Sequence, residues 1–132
     1  DAFPVLAALE ALAGEQAVAR APDDELAAIA QLTNDLRTAF AAGDRHGYFA
    51  INQSIHDAII AASRNPTLRK THASLAGKVH RARYQANQAI GRWEQAVAEH
   101  VQISQALRDR DGERVSVLLR DHLMAKLDSV LA

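Results

Sequence analysis

The stretch YFAINQSIHDAII, residues 48–60, decides the fold. Its apolar residues recur at helical spacing, and Asn52 and His56 stand one turn apart within that apolar face. A helix that buries this face must also bury a carboxamide and an imidazole. Outward from it the chain keeps the same character. With three prolines, six glycines and a background rich in Ala, Leu, Arg and Gln, it favours helix nearly everywhere. Breaks are expected at APDDEL (21–26), AAGDRHG (41–47), SRNPTL (63–68), IGRW (90–93) and RDRDGER (108–114). They leave six helices, near 3–20, 23–42, 45–63, 66–89, 92–109 and 112–131. Short connections between long helices imply an all-α, antiparallel bundle.

The 132 residues suit one domain over 1–132, with a core of its own. Fifteen basic against sixteen acidic residues leave a net charge of -1, which gives this segment no electrostatic footprint for nucleic acid. Without cysteine there is no disulfide, thiolate ligand or cysteine nucleophile, so any metal must use His, Asn, Asp or Glu. A reducing, cytoplasmic setting is allowed. No run approaches the roughly 18 consecutive apolar residues of a membrane span, and no leader is visible. Asp1 in place of Met suggests a segment of a longer protein.

Projection of each helix at about 100° per residue separates the histidines. His56 shares its face with Phe49, Asn52, Ile59, Ile60 and Ser63. His100 shares one with Trp93, Ala96, Val97, Ile103 and Leu107, and His122 with Val115, Leu118, Leu119 and Ala125. His100 and His122 also stand equally far from the turn at Asp111, so in a hairpin they face each other about 16 Å from the bend. A straight-rod count leaves His56 roughly 10 Å off that level, to be made up by helix tilt or a broken fourth helix. One buried histidine is ordinarily a hydrogen-bonded core residue. Three at stripe centres, with Asn52, suit a divalent ion that satisfies them together. His46 falls in a turn, His80 flanks its stripe, and His72 suits an interhelix contact. Glu99 and Asp121 project away from the neighbouring histidines by about 100°. That leaves no obvious general base and argues against an enzyme.

INQSIHDAIIAASRNPTL (51–68) and EHVQISQALRDRDGERVSVLLRDHL (99–123) together resemble the C-terminal effector-binding (FCD) domain of FadR-type regulators in the GntR family. The resemblance covers essentially the whole chain, including LAALEALAGEQAVARA (6–21) and the AAGD turn (41–44). It implies an FCD-like bundle and a ligand set of Asn52, His56, His100 and His122. It also implies zinc or nickel as the most suitable ions, a small organic acid effector and a homodimer. Operator DNA would be bound by an N-terminal winged helix-turn-helix domain outside this chain. Asn52 stands where many relatives carry Asp, and its neutral oxygen is a weaker ligand. Leu6 stands where many carry Arg, which removes one potential anion contact. Among inward residues of the fourth helix, Arg83 suits a carboxylate clamp, with Tyr84 and His80 at the pocket border. The alternatives to a sensor are a metal-dependent helical-bundle enzyme and a purely structural metal-binding bundle.

Overall fold

A computed structural model describes the backbone of residues 2–86 and 90–131 and the side chains of residues 2–79 and 92–126. Among the described residues there are six helices and no strand: α1 Ala2–Arg20, α2 Asp23–Ala41, α3 Arg45–Ala62, α4 Pro66–Ala86, α5 Ile90–Arg108 and α6 Gly112–Leu131. The expected all-α bundle is observed. One boundary moves: α5 begins at Ile90, so Gly91 lies in its first turn instead of breaking the chain. The end predicted for α4, at residues 87–89, lies outside the described residues.

Local chemistry sets the turns. Asp44 Oδ1 accepts from the Gly47 amide at 2.9 Å, Asn65 Oδ1 from Leu68 at 3.0 Å and Asp111 Oδ1 from Arg114 at 3.1 Å, so α3, α4 and α6 each start on a side-chain cap. Gly43 leaves α2 in the left-handed conformation (φ 67°), which a residue without Cβ adopts freely. Arg64 and Arg110 take the same conformation after α3 and α5, at φ 52° and 55°, where L side chains are disfavoured. Both reach back to one turn: Arg64 pairs with Glu25, and Arg110 with Asp23 at 2.7 Å and the Val18 carbonyl at 2.8 Å. The two αL residues thereby tie the far ends of α3 and α5 to the α1–α2 connection.

Helix α1 occupies the middle of the bundle, packed on α6, α3 and α4, while α2 covers α3 and α5. Gly14 is what lets α1 approach α6. A Cβ there would lie 2.3 Å from Val115 Cγ1 and 2.5 Å from Leu119 Cδ1. The main core gathers Leu26, Ile29, Leu36, Ile55, Ile59, Ile103, Leu107, Val115 and Leu119. Each such buried aliphatic side chain contributes roughly 1.5–3 kcal/mol. At the rim of this core Tyr48 stacks on Trp93, ring centroids 4.8 Å apart and planes within 4°, and donates its hydroxyl to the Trp93 carbonyl. A smaller cluster of Phe3, Ala7 and Leu123 closes the other end of α1 and α6. Between the two apolar clusters, Glu10 on α1 and His122 on α6 occupy a buried polar layer.

Among the described helices, α1 is long and apolar enough to cross a membrane, but 44% of the stretch is buried inside the bundle. Counting consecutive apolar residues does not flag it, because Glu10, Glu15 and Gln16 interrupt the run.

Candidate metal centre

Three helices meet in the polar layer, and each delivers one imidazole. His56 from α3, His100 from α5 and His122 from α6 are at most 1% exposed. One ring nitrogen from each can be chosen so that all three lie within 4.8 Å of one another. The ring centroids of His100 and His122 are 4.5 Å apart, as the hairpin count requires. His56 lies 5.2 Å from His100 and 5.4 Å from His122, so the offset left by the straight-rod estimate is closed in the folded chain. Asn52, fully buried one turn before His56, places Oδ1 2.7 Å from His100 Nε2.

Carboxylates hold two of the rings from behind. Glu10, 1% exposed, divides its oxygens between His56 Nδ1 on α3 and His72 Nε2 on α4, the latter at 3.0 Å. An ionised carboxylate only accepts hydrogen bonds, so His56 carries its proton on Nδ1 and its ring lone pair on Nε2. Glu99 does the same for His122, with Oε1 2.5 Å from Nδ1. Its other face is gripped by the buried Arg92, whose Nη1 lies 3.1 Å from Oε2. On the inner side His122 Nε2 and His100 Nδ1 are buried with no hydrogen-bond partner among the described residues. Such atoms cost roughly 1–3 kcal/mol each when nothing satisfies them.

Two of the rings are also kept neutral. Burial, then the neighbouring His122, His56 and Lys126, hold His100 well below the ordinary imidazole range. Burial, then Lys126, His56 and Arg92, do the same to His122. A neutral imidazole has the lone pair that a metal needs. Size is a second constraint on the donor set. With bonds of about 2.1 Å, neighbouring donors on an octahedral ion stand about 3.0 Å apart and opposite ones about 4.2 Å. One nitrogen from each imidazole lies within 4.8 Å of the other two, so the rings must draw together to take neighbouring positions on one ion.

The sequence placed Glu99 away from the histidines, and the structure corrects that. Glu99 does turn from His100, but toward the adjacent helix, where His122 receives it. The projection considered each helix alone and so missed a contact made between two. Glu10 and Lys126, both buried, were missed as well. Each carried a signal: Glu10 is the lone acid on the stripe of Phe3, Leu6, Ala7, Ala13 and Ala17, and Lys126 stands one turn beyond His122 on its face. His72 makes the interhelix contact expected of it, through Glu10. The side chains of His80, Arg83 and Tyr84, chosen from the sequence as effector contacts, lie outside the described residues. A surface depression of about 560 Å³ beside the α5–α6 turn, lined by Asp111, Glu113, Arg114, Val117 and Leu118, contains none of the histidines.

Fold and site together define an all-helical bundle whose interior is a histidine-lined polar layer. The FCD domain family matches residues 1–125, and the chain belongs to it. This is the C-terminal effector-binding domain of GntR-family regulators, so the chain is a ligand-sensing regulatory domain from a family of transcription regulators and not from a family of enzymes. No curated protein matches the chain.

Proposed function

We propose that this domain senses a small organic acid through a divalent ion held by His56, His100 and His122, with Asn52 as the fourth and weakest ligand. The observation that carries the reading is the convergence of three buried imidazoles within 4.8 Å, two of them backed by carboxylates on Nδ1. Backing of this kind fixes the ring tautomer and raises the basicity of the coordinating nitrogen. Zinc and nickel are the ions best suited to imidazole-rich sites. Four protein ligands on an octahedral ion leave two positions, which a carboxylate or hydroxy-carboxylate would fill. Arg83 is the proposed clamp on that acid, with Tyr84 and His80 beside it.

The regulatory step follows from linkage. An acid that binds two packings of the helices unequally shifts their populations, and operator affinity changes with them. In this reading DNA is bound in the cytoplasm by a separate N-terminal winged helix-turn-helix domain, and two such chains form a homodimer. Among the described residues, the two carboxylates that reach the histidines, Glu10 and Glu99, are both committed to orienting them, which disfavours catalysis. Titrating small carboxylates into a complex of the metal-loaded full-length regulator with its operator tests the proposal. At least one acid is expected to change DNA affinity by fivefold or more, in line with a typical coupling free energy. DNA affinity indifferent to every acid that binds the domain contradicts it.

A further inference from the structure

Helices α2 and α5 run antiparallel: Phe40 meets the Trp93 ring at one end, and Leu26 borders the same depression as Arg108 at the other. Between these ends lies a groove of about 170 Å³. Helix α2 contributes Thr33, Asn34 and Arg37 to its walls, and α5 contributes Ser104, Gln105 and Arg108. None of the described residues that line it is acidic. The two arginines stand toward opposite ends, and neither guanidinium has an ion pair or hydrogen bond among the described residues.

Ser104 is a second, independent mark of a ligand. It is only 7% exposed, yet its hydroxyl has no hydrogen-bond partner among the described residues. Helical hydroxyls commonly return to a carbonyl of their own helix, as Thr33 does across the groove, donating to Ile29 at 3.0 Å. The Ser104 hydroxyl forgoes that bond. Unlike the partnerless atoms of the core its Oγ is not sealed in, so it opens onto the groove. Gln105 turns its amide to Asp109 at 3.0 Å, which leaves the Ser104 hydroxyl, the Asn34 carboxamide and two guanidiniums as donors for an occupant.

We propose that this groove is a second ligand site, separate from the histidine layer, and that it binds a phosphate group, free or on a small monoester. Guanidinium carries five donors in a fixed fork that matches phosphate oxygens. Donors from two arginines, a hydroxyl and an amide outnumber the two oxygens of a carboxylate and suit those of a phosphate. The volume is about six times a water's share of the liquid, room for one phosphate with a short tail and not for a nucleotide. The groove shares no residue with the metal centre and needs no metal. Ser104 stands one turn beyond His100, so an occupant that clamps α5 to α2 bears on the helix that carries this histidine.

Calorimetric titration of the intact protein in phosphate-free buffer, with and without zinc, tests the site with inorganic phosphate, glycerol phosphate and acetate. Wild type is expected to bind a phosphate saturably, one per chain, in both metal states and more tightly than acetate. The tighter of the two phosphates shows whether the free ion or a monoester is the ligand. Arg37→Gln and Arg108→Gln are each expected to weaken it about tenfold and Ser104→Ala about threefold, with helical content unchanged. Arg114→Gln, which removes an exposed arginine at the start of α6, is expected to leave it unmoved. No saturable binding of either phosphate, equal affinity for acetate, or a loss in Arg114→Gln as large as in Arg37→Gln overturns the proposal. So does phosphate binding that vanishes without metal and is untouched in the Arg37→Gln, Arg108→Gln double variant, since the anion would then sit on the metal centre.

Discussion

The Glu10 and Glu99 arms of the centre perform one task with different materials. Both present a carboxylate oxygen to the Nδ1 of an inward-facing imidazole. The Glu10 arm is buried throughout, and its carboxylate is shared between rings from α3 and α4, so three helices are joined at one acid. The Glu99 arm sits at the rim: Glu99 is 30% exposed and is braced by Arg92 from its own helix. Water can replace part of what the rim carboxylate does, whereas nothing among the apolar neighbours of Glu10 can. The inner arm should therefore be the rigid support of the site and the outer arm the more tolerant one.

Acid is the broadest challenge, because the rings, unlike the carboxylates, are buried on both arms. His100 and His122 have folded-state values depressed below the unfolded imidazole value of about 6.5. The unfolded chain therefore binds more protons than the native one as pH falls. Stability is fully present above about pH 6.5 and is lost as pH drops toward the folded values. Metal-free protein followed by urea unfolding should hold its midpoint from pH 8 to 7 and lose it steadily below 6.5. A midpoint that rises on acidification would contradict neutral buried rings.

Next in size is Glu10→Gln. Glutamine can still accept at its oxygen, but its amide group then points a donor at a ring nitrogen that also donates. The expected cost is about 1–3 kcal/mol of stability, together with a ten- to hundredfold loss of metal affinity. Glu99→Gln is expected to cost less than about 1 kcal/mol, as exposed pairs do, with a metal-affinity loss near the lower end of that range. Metal titration and thermal unfolding of both variants read the difference directly. Equal losses in the two would erase the distinction between a dry arm and a wet one.

Much of this was legible in the sequence because helical periodicity is a property of one segment at a time. The stripes of α3, α5 and α6 point Asn52, His56, His100 and His122 inward whatever their neighbours do, and the caps at Asp44, Asn65 and Asp111 follow from local hydrogen bonding. What was not legible depends on how helices are set against each other. The relative height of His56 depends on interhelix tilt, and Glu99 reaches His122 only because α5 and α6 lie side by side. Glu10 and Lys126 are a different case. Their position on buried stripes could be read from the chain, but a charged residue in an apolar helix is interpretable only once its partners are known.

The central claim is that the three imidazoles hold one divalent ion, and elemental analysis with native mass spectrometry of protein purified without chelators tests it most directly. Wild type is expected to carry close to one zinc or nickel per chain and His100→Ala almost none, with the helical content of the two unchanged. Equal metal in both proteins, or none in wild type after exposure to either ion, would contradict the account.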